Sequence, residues 1–548
     1  MEPLEENTAE SRPLSDPEIT PHSARNHSPI PSPIPTPPLA PAPAPDSDPA
    51  AADLGEPQQA PHVYQKFFIF HEILLGFCLM YAQIITQAGV AQGLLPLTYI
   101  GATFGVTELA ILSWSAAGYS LSVGTFILCA GRLGDIYGHK RIYLLGFAWF
   151  ILWSILTGLS HYTDFIFYSI CRGFQGIGPA FLLPNAMAII GRSYPPGTRQ
   201  TMIFALFGAC APSGFGFGAL FSALLAQKAS WEWTFYVCAM VSAGVAVLCV
   251  VVIPADEGPG DRTESFDYWG AALGVSGLVL FNVAWNQGPN VGWTTPYTYI
   301  LLIVGVLLLA GFFVAESKVT HPLIPMDVLT RQTALALACI ACAWGAFGIW
   351  IFYLFQMLLF LRRLTPLLAF AQFSPAMISG LVAAVLTGYL ISKGVTVAII
   401  MFFAMCAFLA SSLLLATMPV DQTYWAQTFV CFVIAPFGMD MSFPAATIMF
   451  STSVPRHHQG MAASLVTTVI NYSISLALGI AGTVVAYTSP GQSDAALTTA
   501  VHNAAFLGVG LSGLGVACAC VASVFEILER GGKNKQADVV VGVDVVVL

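Results

Sequence analysis

Few residues able to do chemistry lie inside the long apolar runs of this chain, which is 56% apolar and 9% charged. Asp440, in Gly438-Met439-Asp440-Met441-Ser442-Phe443-Pro444, is the single carboxylate well inside such a run. A carboxyl group held away from water can exchange a proton within the physiological range, so Asp440 is a protonation candidate. Ion pairing, or capping beside Pro444, is the structural alternative. Arg172 opens Arg172-Gly173-Phe174-Gln175-Gly176-Ile177-Gly178 and lies roughly 12 Å deep if its run is helical. An unaccompanied Arg there costs at least about 2.5–3.5 kcal/mol, so it needs a polar cavity or a partner. Glu72, near the start of the first run, is a further proton-coupling candidate.

Polar side chains at helical spacing mark candidate cavity walls. Gln83, Thr86 and Gln87 share one face by i, i+3, i+4 spacing, and Asn471 with Ser475 forms a similar face. Gln175 joins them beside Arg172. These residues could line a path for a polar solute or bond helix to helix. An enzyme would need nucleophile, base or metal ligands clustered at one depth, and the runs do not supply them. Cys339 and Cys342 have C-x-x-C spacing but no accompanying His or second pair, so no metal site is expected. The twelve cysteines all fall in apolar runs and read as small hydrophobes.

The elements that must position these groups are membrane helices. A charged content of 9% against the roughly 25% of soluble domains indicates a polytopic membrane protein. From Phe67 onward the sequence holds fourteen apolar spans, near 67–90, 109–129, 142–160, 164–190, 201–226, 233–253, 268–285, 297–315, 332–358, 366–391, 395–417, 424–448, 460–487 and 499–527. Each is long enough to cross about 30 Å of hydrocarbon as a helix, and continuous runs exclude a barrel. With the N-terminus inside, fourteen Lys and Arg fall on the cytosolic side against Lys228, Arg362 and Arg363 outside. Both termini are therefore expected in the cytosol. The net charge of −9 is concentrated in residues 1–60, which hold 15 of the 35 prolines and read as a disordered cytosolic tail.

A 260-residue shift lays Gly178, Pro184, Ala186, Ser193 and Pro195 on Gly438, Pro444, Ala446, Ser453 and Pro455. Span 4 thus repeats as span 12 in the same orientation. The expected organisation is a tail (1–62), a six-helix bundle (63–254), a loop with two inserted helices (255–318), a second six-helix bundle (319–528) and a C-terminal tail (529–548). Arg172 aligns with Phe432, which sets Asp440 about 12 Å nearer the cytosol, so no pairing of the two is assumed. Asn282 and Asn286 fall on the inserted pair, outside the expected cavity.

Three motifs carry a resemblance. The segment Gly131-Arg132-Leu133-Gly134-Asp135-Ile136-Tyr137-Gly138-His139-Lys140-Arg141 resembles the loop signature of the major facilitator superfamily. Its glycines permit a tight turn, and Asp135 can bind Arg141 or the positive end of a neighbouring helix as a conformational latch. The Arg172 segment resembles the span-4 motif of proton-driven facilitators, whose Arg is associated with proton coupling. Gly208-Ala209-Cys210-Ala211-Pro212-Ser213-Gly214-Phe215-Gly216-Phe217-Gly218 resembles the exporter motif of span 5. There Pro212 bends the helix, and Gly214 with Gly218 forms a small-residue ridge.

Together with Ala82-Gln83-Ile84-Ile85-Thr86-Gln87-Ala88-Gly89 and Phe281-Asn282-Val283-Ala284-Trp285-Asn286-Gln287, these motifs resemble the fourteen-span drug:proton antiporters, nearest the fungal aminotriazole-resistance and boron-exporter type. The resemblance implies an all-α major facilitator fold of two six-helix bundles plus two inserted helices. It implies a proton-coupled efflux transporter, not an enzyme, exporting xenobiotics, toxic solutes or secondary metabolites by alternating access. Its partners would be a small-molecule substrate, protons and the lipid bilayer, with no nucleic acid and no cofactor. It would act as a monomer in the plasma membrane, or alternatively the vacuolar membrane. An uncoupled facilitator of a small polar solute, and a transporter-like sensor, are the other readings.

Overall fold

The computed structural model describes residues 69–195, 197–255, 266–319, 323, 330–452, 459–489, 491 and 493–546. The proline-rich segment 1–62, the loop around Arg262 and residues 456–458 lie outside the described residues. Among the described residues there are helices and no strands, and fourteen helices are long and apolar enough to span a membrane. Spans 1–6 are Ile69–Gln92, Leu109–Tyr137, His139–Tyr162, Phe165–Ser193, Arg199–Lys228 and Glu232–Val252. Spans 7 and 8 are Tyr268–Val291 and Pro296–Glu316. Spans 9–14 are Arg331–Leu361, Pro366–Ser392, Val397–Ala416, Gln427–Ser451, Ala463–Thr488 and Asp494–Glu526.

Helix starts carry local signals. Asp164, Asp267 and Thr330 cap spans 4, 7 and 9 by accepting from Phe167 N, Gly270 N and Thr333 N. Pro296 and Pro366 occupy the first turns of spans 8 and 10, where the missing N–H costs nothing. One boundary departs from expectation. Span 2 does not end near 129 but stays helical through Gly131–Tyr137, so the glycine-rich segment is mostly helix. The turn is made by Gly138 alone, at φ 98°, in the left-handed region that favours glycine.

Helix neighbours repeat between the halves. Spans 2 and 4, 3 and 4, 1 and 5, and 3 and 6 pack as do spans 10 and 12, 11 and 12, 9 and 13, and 11 and 14. The chain therefore forms two parallel six-helix bundles, with spans 7 and 8 inserted between them in sequence. Lipid supplies no hydrophobic drive for helix association, so close backbone approach must do it. A β-carbon on Gly214 would lie 2.5 Å from Ile84 O, and one on Gly218 would lie 2.7 Å from Ala88 O. The small-residue ridge of span 5 is thus filled by the backbone of span 1.

Two antiparallel seams join the halves. On the first, spans 2 and 13 meet from Ala110 against Gly482 at one end, through Gly124 against Thr468 and Tyr472, to Gly131 against Ser464 at the other. On the second, spans 5 and 10 meet from Gln227, whose Oε1 accepts from Leu367 N at 3.3 Å, through Phe215 and Phe373, with ring centroids 5.1 Å apart. Their contact continues to Pro212 against Gly380 at mid-length. Span 7 packs on both span 2 and span 13, outside the first seam.

Candidate functional site

Between the halves lies a cavity of about 1420 Å³. Its mouth is rimmed by Arg132, Asp135, His139, Arg192 and Thr201 from spans 2–5 and by Gly388, Ile391, Ile448 and Ser464 from spans 10, 12 and 13. Its walls reach Trp344, Phe347, Phe215 and Phe373 at mid-depth. The opposite end is shut by the upper parts of the two seams. The molecule is therefore open at the end that carries the span 2–3 turn and closed at the other.

Gln83, Thr86 and Gln87 all line this cavity from span 1, and Asn471 lines it from span 13. Thr86 Oγ1 donates to Ala82 O at 2.7 Å, which leaves the two glutamines as the free polar groups of that face. Two predicted wall residues face elsewhere. Ser475 is fully buried and donates to Asn282 Oδ1 of span 7 at 2.8 Å. Gln175 is fully buried, accepts from Arg172 at 2.5 Å and donates to Ser154 Oγ at 2.8 Å. Both bond helix to helix, because a neighbouring helix covers that side.

Asp440 lines the cavity from span 12. Its Oδ2 is buried without a hydrogen-bond partner and would lie 2.6 Å from a β-carbon on Gly380 of span 10. Pro212, the bend of span 5, reaches the same glycine from the other half: a β-carbon on Gly380 would sit 3.3 Å from Pro212 Cβ. The carboxylate therefore stands where the halves part. Gly380, which makes room for it, carries no sequence signal that marks it.

Arg172 is fully buried and is not part of the cavity wall. Its Nε donates to Ser115 O at 2.9 Å and a terminal nitrogen to Gly89 O at 2.6 Å, with Gln175 taking the other. The guanidinium stacks 4.6 Å over the Tyr119 ring. The partners that its depth requires are thus backbone carbonyls and an aromatic face of spans 1 and 2. Glu72 lies outside the cavity and pairs with Arg199, joining the mouth ends of spans 1 and 5.

Asp135 does not take Arg141 as its partner. It lies 3.3 Å from His139 Nε2 and 3.8 Å from Arg192 of span 4, while Arg141 is exposed. Because span 3 begins directly after the Gly138 turn, His139 is brought beside Asp135 and stands nearer to it than any cation of the motif. Asn185 Nδ2 donates to Phe181 O and Ala130 O, so its Oδ1 must accept, and the 2.8 Å contact places the proton on His139 Nδ1. Lys140 Nζ donates to Val250 O at 2.9 Å and to Ile253 O at 2.5 Å, closing the end of span 6.

Two parallel helix bundles around a single-ended cavity, with the span 2–3 motif at its mouth, agree with the family comparison: the Major Facilitator Superfamily model matches residues 77–478. The chain belongs to this superfamily of membrane transporters. It is 54% identical over 441 residues to the low affinity ammonium transporter of Saccharomyces cerevisiae, covering 79% of this chain and 85% of that one. It is 44% identical to the efflux pump terJ of Aspergillus terreus, with the same coverage, and 37% identical to the aminotriazole resistance protein of S. cerevisiae over 90% of each chain. A crystal structure of the peptide transporter POT with sulfate matches with a TM-score of 0.61 at 15% identity, over 84% of this chain and 97% of that one, and shares the fold.

Proposed function

We propose that this transporter is a proton-coupled exporter of small molecules, working by alternating access across the plasma membrane with both termini in the cytosol. One observation carries the reading: the buried, unpartnered Oδ2 of Asp440 in the wall of the central cavity, beside the seam where the halves part. A carboxyl group so placed can hold a proton in one state and lose it in the other as its surroundings change. Inward proton movement then drives outward solute movement. One pH unit is worth about 1.4 kcal/mol per proton, or tenfold accumulation for a one-to-one exchange.

The aromatic walls, with Gln83, Gln87 and Asn471 as polar contacts, suit a compact amphipathic solute. The relatives named as efflux pumps and for aminotriazole resistance support export. The relative named as an ammonium transporter favours a second reading, a facilitator that lets a small weak base equilibrate.

Everted membrane vesicles with an imposed pH gradient separate the two. Coupled export predicts gradient-dependent accumulation of aminotriazole, borate, azoles or a host metabolite. Asp440→Asn should reduce that accumulation to the level seen without a gradient while the protein stays folded. Accumulation indifferent to the gradient in the parent chain would sink the coupling.

A further inference from the structure

The two seams between the halves are not alike. On the seam of spans 2 and 13, contact persists at both ends. A β-carbon on Gly482 would lie 3.7 Å from Ala110 Cβ at the closed end, and one on Gly131 would lie 3.6 Å from Ser464 Oγ at the mouth. On the seam of spans 5 and 10 the facing positions follow an antiparallel register through Gly216 with Met377 and Pro212 with Gly380. Nearer the mouth the same register sets Gly208 opposite Ala384 and Phe204 opposite Gly388, and all four residues line the cavity. A β-carbon on Gly208 or on Gly388 would meet nothing within 4 Å, so the two helices have parted there.

Span 7 accounts for the difference. It runs parallel to span 13 in one fixed register. Tyr472 Oη donates to Leu278 O at 3.0 Å, Ser475 Oγ to Asn282 Oδ1 at 2.8 Å, and Asn286 Nδ2 to Ser475 O at 3.2 Å. Gly479 lets the backbone of Trp285 approach to 2.9 Å of a would-be β-carbon, and Gly482 meets Pro289. The same helix packs on span 2, and Tyr268 at its mouth end meets Tyr137 of span 2, hydroxyl to hydroxyl, at 3.0 Å. The inserted helix thus straps spans 2 and 13 together from outside. Among the described residues, neither inserted helix packs on span 5 or span 10 as span 7 does on spans 2 and 13.

We infer that the halves swing about a hinge formed by spans 2, 7 and 13, with spans 5 and 10 as the free edge that opens and shuts. Two equal halves rocking about the centre would part both seams at the closed end when the molecule turns outward. Motion about the strapped seam parts the closed end of the spans 5 and 10 seam alone, and as these two helices tilt, their mouth ends around Gly208 and Gly388 close on one another. Packed interfaces switch between discrete arrangements, so a strapped seam stays with one of them while the unstrapped seam exchanges.

Paired cysteines distinguish these motions. Ala110→Cys with Gly482→Cys has the β-carbon separation that a disulfide needs, about 3.5–4.5 Å. Gly216→Cys with Met377→Cys tests the other seam, where a β-carbon on Gly216 would lie 3.0 Å from Met377 Cγ. Each pair is oxidised in cells that also carry Gln87→Cys. A membrane-impermeant maleimide is then applied from the closed side, and labelling above that of the same chain without Gln87→Cys is read. This readout needs no substrate, so its failure is separate from failure of the export reading. The hinge predicts that the Ala110–Gly482 crosslink leaves labelling within twofold of the reduced protein. The Gly216–Met377 crosslink should lower it at least tenfold, with recovery on reduction. An equal tenfold loss with the Ala110–Gly482 crosslink, or undiminished labelling with the other, would overturn the hinge. Each variant's reduced form is its own control for folding.

Discussion

Asp440 and Gly380 occupy one another's space: the carboxylate oxygen of the first stands 2.6 Å from where the second would carry a β-carbon. Span 10 can hold the Asp440 side chain at the parting of the halves only because residue 380 is glycine. Gly380→Ala is expected to push the carboxylate from this position and slow gradient-driven transport severalfold. Gly244→Ala, where nothing lies within 4 Å, should leave transport unchanged. Initial rates in vesicles, normalised to folded protein, test the contrast.

Arg172 meets neutral carbonyls, not a carboxylate, so its replacement should cost stability before it costs coupling. A hydrogen bond to a charged group contributes about 1.5–3 kcal/mol, and lysine cannot reproduce the planar fork that reaches Gly89, Ser115 and Gln175 at once. Arg172→Lys should lower the thermal unfolding midpoint by several degrees, while transport per folded molecule keeps its dependence on the proton gradient. Normal unfolding with lost gradient dependence would instead assign Arg172 to the coupling itself.

Gly218 is held by the backbone of Ala88, which cannot swing aside as a side chain can. Overpacking of this kind costs typically about 1–3 kcal/mol. Gly218→Ala should therefore reduce the yield of folded, monodisperse protein in detergent. Unchanged yield and melting would show that spans 1 and 5 separate freely.

Asn282 and Ser475 form one buried node between spans 7 and 13. Removing one partner strands the other at about 1–3 kcal/mol, whereas removing both costs less than the sum. A thermal-melting cycle of Asn282→Leu, Ser475→Ala and the double variant should give a coupling of at least about 0.5 kcal/mol. Strict additivity would mean that the pair does not fasten span 7.

The fourteen spans were legible because hydrocarbon demands long apolar helices, and helical spacing alone put Gln83, Thr86 and Gln87 on the cavity face. The same reasoning could not separate Asn471, which faces the cavity, from Ser475, which faces span 7. The two are one turn apart, and the side that is covered is decided by a helix nearly two hundred residues away. Reading the Gly131–Arg141 segment as a loop places the end of span 2 near 129. The helix continues because its last turns rim an open mouth, where charge is solvated. Arg172's partners were hidden for a related reason: a backbone carbonyl has no residue type. By sequence Asn282 and Asn286 fall on the inserted pair, outside the expected cavity, and they do not line it. Their place in the strap between the halves emerges only from the pairing of span 7 with span 13.

The one-ended cavity also shapes the electric field. Water entering the mouth carries the potential of that side down to the level of Phe215 and Phe373, so the membrane voltage falls across the shut half alone. An elementary charge crossing that layer experiences the whole drop, about 2.3 kcal/mol per 100 mV. Asp440 lines the cavity on the mouth side of that layer, so under the proposed coupling it would take up or release its proton there at little electrical cost. In the hinge motion inferred above, the drop would move to the other side of the same carboxylate. Under the proposed coupling, a proton would then be handed across the full voltage while its carrier barely moves.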